Sequence, residues 1–74
     1  MSRLIRMDQS GHTTVAEWRA ENQASVEAAA AALRTELDQG YFAVVSSSAG
    51  AAEQVHELPV DAPVVILRRP IAGG

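Results

Sequence analysis

Four consecutive apolar residues, Val64-Val65-Ile66-Leu67, stand between Pro63 and the basic pair Arg68-Arg69. A strand with one wet face alternates apolar and polar side chains, whereas a strand buried on both faces carries an unbroken apolar run. The segment therefore predicts a strand near the centre of a sheet. The rest of the chain has to supply its neighbours and its cover.

Those neighbours can be read in order. Arg3 to Met7 contains Leu and Ile and predicts a strand. Asp8-Gln9-Ser10-Gly11 follows, with Asp at the first turn position and Gly at the fourth. His12 to Trp18 is partly β-branched and aromatic, which suits a returning strand and makes a hairpin. Asn22 or Ser25 can cap the helix that follows, predicted over Ser25 to Asp38, and Gly40 is placed to end it as a left-handed residue. Val26, Ala30, Leu33 and Leu37 recur at helical spacing and predict its buried stripe. Glu27, Arg34, Glu36 and Asp38 largely fill the remaining face, and the alanines from Ala28 to Ala32 favour the helix and let it pack close to a sheet.

Tyr41 to Val45 alternates as a strand, and Ser46-Ser47-Ser48-Ala49-Gly50 breaks it. Ala52 to Leu58 reads as a further strand, although Glu53, Glu57 and Asp61 share a helical spacing that leaves a helix over Ala51 to Leu58 open. Pro59 and Pro63 bracket a rigid loop, since proline cannot donate to a ladder. The order is strand, strand, helix, strand, strand, strand. One helix laid across a mixed sheet of four to five strands buries one face of each, an α+β fold with the last strand in the middle beside the first.

Size and composition limit what such a fold can do. The 74 residues, 47% hydrophobic and 20% charged, make one small globular domain. A chain this short hides only about 60% of its unfolded surface, so the core is thin and a deep substrate cavity is not expected. Cys is absent, which removes disulfides, thiolate metal sites and a cysteine nucleophile. The net charge of −3 argues against attraction of the whole molecule to nucleic acid or anionic lipid. No apolar stretch approaches a membrane span, and the protein is expected to be soluble and cytoplasmic. All six basic residues are Arg, so Schiff-base chemistry, Walker-type phosphate binding and side-chain amine acceptors are excluded.

The closing string, Val64-Val65-Ile66-Leu67-Arg68-Arg69-Pro70-Ile71-Ala72-Gly73-Gly74, joins an apolar strand to a proline spacer and a Gly-Gly end. With the order of elements, it resembles the ubiquitin-like β-grasp proteins, and most closely the sulfur carriers of thiamine and molybdopterin biosynthesis. The string covers about the last dozen residues, and the order covers the chain. The resemblance implies a single β-grasp domain over residues 1–69 and a flexible tail over 70–74. It also implies a partner enzyme that uses ATP to adenylate the main-chain carboxylate of Gly74. Attack by sulfide then gives a thiocarboxylate, and attack by a thiol leads toward an amide on an acceptor protein. Gly73 and Gly74 would thread a narrow channel, since residues without Cβ allow close backbone approach. Pro70 would stiffen the root of the tail. The protein itself binds no cofactor and is not the catalyst in this reading.

Four of the basic residues, Arg3, Arg6, Arg68 and Arg69, lie on the two strands expected to pair. They read either as strand-end charges that keep edges soluble or, with Pro70 and Ile71, as a docking patch for an acidic partner. Alternation sends Arg68 and Arg69 to opposite faces. Trp18 is most simply core, or else an interface anchor at a strand end. His12, expected in a turn, and His56, on an exposed strand face, lack the convergent partners of a metal site. Ser46, Ser47 and Ser48 with His56 and Asp61 hold the residue types of a hydrolytic triad without a nucleophile elbow. Glu53, Glu57 and Asp61 read as solvated charges before they read as paired catalytic carboxylates. A second class of function fits the same fold: a non-enzymatic structural or adaptor protein, such as a phage virion or assembly component, with structural assembly partners and an idle tail.

Overall fold

The computed structural model describes residues 1–8, 11–46, 50 and 52–69. Its elements are β1 (Ser2–Asp8), β2 (Gly11–Trp18), α1 (Gln23–Asp38), β3 (Phe42–Ser46), β4 (Ala52–Val55) and β5 (Val64–Arg68). The five strands form one mixed sheet in the order β2-β1-β5-β3-β4. β5 is central, parallel to β1 and antiparallel to β3, while β2 and β4 pair antiparallel at the edges. The unbroken apolar run thus occupies the middle of the sheet, beside the first strand.

Local chemistry fixes the ends of α1. Asn22 caps it, its Oδ1 accepting from the Ser25 amide at 3.1 Å, and the Ser25 hydroxyl in turn accepts from the Arg19 amide at 2.9 Å. At the other end Gly40 takes φ +98°, the left-handed conformation a side chain would resist. The Gly40 amide then donates to the Leu37 carbonyl and the Tyr41 amide to the Glu36 carbonyl, both at 3.1 Å. This pair of reversed bonds is the Schellman closure. It sets Tyr41 directly against the last turn of the helix.

The helix covers one face of the sheet. Leu4, Trp18, Ala29, Leu33, Ala43, Val65 and Leu67 are buried together between the two layers. Ala29 on α1 and Ala43 on β3 are both fully buried, and their small side chains let helix and sheet approach closely. Trp18 closes one end of this core, its Nε1 donating to the Val60 carbonyl at 3.0 Å. The Arg3 amide donates to the Pro63 carbonyl at 3.0 Å, and the Ala62 amide to that of Pro59 at 2.9 Å, so the segment between β4 and β5 is a held turn.

Several expectations are corrected. The buried stripe of α1 runs through Ala29, Leu33 and Glu36, with Val26 and Leu37 half-buried at its border and Ala30 exposed. The face is rotated because i, i+4 and i+7 counted from Ala29 are as good a helical stripe as the one counted from Val26. Glu36, assigned to the solvent face for its charge, is only 5% exposed. β5 is buried on one face, not both. Val65 and Leu67 point under the helix, while Ile66 is half-buried and Val64 is 38% exposed on the opposite face. A single helix can cover a single face. β4 is a strand, which removes the helical alternative over 52–55, but it ends at Val55 and not Leu58. Val55 pairs with Ala43, which lies beside Leu67 near the end of β5, so the chain must leave the sheet there and travel back to begin β5 at Val64. His12 lies in the returning strand read over His12 to Trp18, paired with Met7 and exposed, so its alternative placement in a turn is corrected.

Candidate functional site

β5 delivers the chain to the root of the C-terminal string. Arg68 closes the strand opposite Phe42, and Arg69 follows. Pro70, Ile71, Gly73 and Gly74, expected to form the tail and part of its docking patch, lie outside the described residues.

The four arginines expected to cluster near that root are separated into distinct environments. Arg3 pairs with Glu17 across β1 and β2 at 3.2 Å, in an exposed position on the open face. Arg6 sits two residues from buried Leu4 and so points to the helix side, where its Nη1 donates to Glu36 Oε1 at 2.7 Å. The Arg6 guanidinium also faces the Tyr41 ring, 5.9 Å from its centroid, and Arg69 faces the same ring at 5.4 Å. Arg68 follows Leu67 and so points the other way, exposed and with no acidic partner among the described residues. Arg68 and Arg69 do part to opposite sides, as alternation requires. Trp18 is 1% exposed and belongs to the core, so it offers no side chain to a partner.

Two features of this region were missed in reading the residues. One is the buried Glu36 beneath Arg6, whose second oxygen, Oε2, has no hydrogen-bond partner among the described residues. The other is the apolar centre of the open sheet face. Ile5 pairs with Ile66, and Ile66 with Val44, giving one continuous row away from the helix. Phe42, Val64 and Met7 extend it, the last two well exposed, and Arg68 stands at its upper end. The missed signal was parity: the even positions of β5 share a face, and the single helix already covers the other one.

The remaining candidates are not brought together. Ser46 pairs with Ala52 at one end of β4, while His56 follows Val55 at the other, so the strand's length separates them. Ser47 and Ser48 lie outside the described residues, and Asp61 sits in the turn beside Val60, near Trp18. His56 and Glu57 instead rim an open groove of about 700 Å³ between α1 and the segment leading to Val60, floored by Ala30, Leu33, Leu37 and Leu58. Glu53 is on β4 and Glu57 beyond its end, both exposed, so with Asp61 they form no helical row. Among the described residues no three His, Asp or Glu side chains converge to hold a metal ion. No helix among them is long and apolar enough to cross a membrane.

No protein-family model matches the chain, nor does any curated protein or solved structure.

Proposed function

We propose that the chain is a ubiquitin-like β-grasp protein of the sulfur-carrier type, whose reactive group is the Gly74 carboxylate. The observation that carries this reading is the strand order β2-β1-β5-β3-β4, with β5 central and parallel to β1, and with Arg69-Pro70-Ile71-Ala72-Gly73-Gly74 next in the sequence. A tail that leaves from the middle of a sheet departs from the most rigid part of a small domain. A partner can then grip the domain and receive the tail in a fixed place.

The chemistry proceeds on the partner. A Gly74 carboxylate oxygen attacks the α-phosphorus of ATP, displacing pyrophosphate and leaving an acyl-adenylate. Sulfide then attacks the acyl carbon, AMP departs, and the product is a thiocarboxylate. A partner thiol attacking the same carbon gives a thioester that can pass to an acceptor amine. In each route this chain is the substrate of an adenylating enzyme and contributes recognition.

Recognition is assigned to the side of the sheet that the helix leaves open. Ile5, Val44, Ile66 and Val64 supply apolar area, and Arg68, free of an acidic partner among the described residues, supplies charge next to the tail. A partner surface that is apolar at its centre and acidic toward its catalytic channel complements this arrangement. The test is incubation of the chain with ATP and activating enzymes, read by intact mass. The starting mass must correspond to a chain ending in Gly74. An ATP-dependent adenylate or thiocarboxylate on that residue supports the reading, and its loss on adding one residue after Gly74 localises the chemistry. A chain lacking both terminal glycines that keeps its cellular role would overturn the carrier reading in favour of a structural or adaptor one.

A further inference from the structure

We propose that Glu36 is a positioning residue for the root of the tail: by neutralising Arg6 it allows Arg69 to rest on the Tyr41 ring. The inference rests on the reading that the tail is presented to a partner, and it adds what holds its first residue in place.

Two guanidiniums face one tyrosine ring, Arg6 at 5.9 Å and Arg69 at 5.4 Å from the centroid. Each contact is attractive on its own, because the ring's negative face draws a cation. Together they set two permanent positive charges around a single group, and like charges repel. One of the two is compensated. Glu36 Oε1 accepts from Arg6 Nη1 at 2.7 Å, and the Glu36 side chain is 7% exposed, so solvent screens this pair poorly. Arg69 has no acidic partner among the described residues. It tolerates its neighbour because that neighbour's charge is already cancelled from below.

The backbone ties the same residues together. The Tyr41 amide donates to the Glu36 carbonyl at 3.1 Å, so one residue holds the ring by its main chain and Arg6 by its side chain. Arg6 is opposite Leu67 in the parallel register of β1 and β5, and Arg69 is two residues further along the chain. Helix end, first strand and last strand therefore meet at Tyr41. Glu36 Oε2 is buried and unpartnered among the described residues, an arrangement that costs stability. A leucine here would pack without that cost, but it would leave Arg6 and Arg69 to repel.

NMR of the 74-residue chain tests this. In the wild type the Arg69 Hδ protons should carry an upfield shift from the Tyr41 ring, and Tyr41→Leu gives the zero of that scale. Glu36→Gln should lower the population of the stacked Arg69 rotamer by up to a factor of about two to five, since the added repulsion can cancel at most the one exposed cation–π contact that holds it. Arg6→Met combined with Glu36→Gln should restore it, because the repelling charge leaves with its counter-ion. A residue serving only to hold the fold would show no such rescue. An unchanged Arg69 shift in Glu36→Gln would overturn the proposal, and so would equal loss in the single and double variants. Should Glu36→Gln not fold, an Arg69 shift weaker in the double variant than in the wild type overturns it as well. A partner assay is read separately: Glu36→Gln should raise KM for the activating enzyme while kcat holds. If no activating enzyme acts on the wild type, the carrier reading fails while the NMR result on Glu36 stands.

Discussion

Arg6 Nη1 and Glu36 Oε1 meet at 2.7 Å across 30 residues of chain, binding the first strand to the last turn of the helix. The Glu36 end of this pair is buried, while Arg6 retains about a third of its side-chain exposure. A buried carboxylate stripped of its partner is expensive, whereas an apolar pair of similar volume costs little. Arg6→Met alone is therefore expected to cost about 3 kcal/mol, the low end for a broken buried pair. Arg6→Met with Glu36→Leu should lie close to the wild type. Urea unfolding of the three proteins checks both values, and a double variant no more stable than the single one would contradict the pairing.

The helix face makes a second prediction. Leu33 is buried on the stripe with Ala29, so Leu33→Ala should cost about 2–5 kcal/mol as a large-to-small core change. Ala30 is exposed at the groove, and Ala30→Glu should stay within about 0.5 kcal/mol. The stripe first suggested by Val26, Ala30, Leu33 and Leu37 gives the opposite result at position 30. Thermal or urea unfolding of the two variants separates the registers.

Position 30 also marks the boundary of what the residues alone disclose. Each element is written locally: the apolar run of β5, the Asn22 cap, Gly40 at the helix end, the proline-bracketed return to β5. Central placement of β5 followed, because an unbroken apolar strand has no place at an edge. What stayed hidden depends on pairs distant in sequence. Nothing near Glu36 announces that Arg6, in register with Leu67, reaches beneath the helix to meet it. The open sheet face was overlooked for a different reason. An apolar run looks the same whether one face or both are covered, and the deciding fact is the number of covering helices. The Gly-Gly string behind the proposed function was legible as sequence, and the structure adds the central, β1-parallel placement of the strand that precedes it.

Trp18 joins β2 to the turn before β5 by a bond to the Val60 carbonyl. Trp18→Phe keeps most of the apolar volume and leaves that part-buried carbonyl short of a donor, at an expected cost of about 1 kcal/mol. The wild-type tryptophan should emit toward the blue and resist acrylamide quenching, since its ring is sealed from water. Emission typical of a solvent-exposed indole in the folded protein would contradict its place in the core.

Gly40 offers a test free of packing. A Cβ built there meets nothing within 4 Å, so any penalty of Gly40→Ala comes from φ +98° alone. The expected loss is about 1–2 kcal/mol, the cost of forcing an L-residue into left-handed backbone. Because the Schellman closure also seats Tyr41, the variant should weaken the Arg69 ring shift along with stability. A stability change near zero would mean that the helix end relaxes without Gly40.

The final prediction separates the arginines by their surroundings. Arg3 is already engaged by Glu17 at the surface, and an exposed pair of this kind contributes no more than about 1 kcal/mol. Arg3→Gln should therefore alter neither stability nor activation much. Arg68 has no acidic partner among the described residues and stands at the end of the apolar sheet face, two residues before Pro70 in the sequence. Arg68→Glu should leave thermal stability within about 0.5 kcal/mol, because its side chain is exposed and makes no ion pair among the described residues. Against an activating enzyme with an acidic rim, the same change places like charges together and should raise KM by about tenfold with kcat preserved. Added salt should narrow the gap between wild type and variant, since screening weakens the attraction in one and the repulsion in the other. A KM that ignores Arg68→Glu yet rises with Arg3→Gln would move the docking surface toward the β1–β2 edge. Activation indifferent to both would remove charge from recognition and leave the apolar row of Ile5, Ile66 and Val44 as its basis.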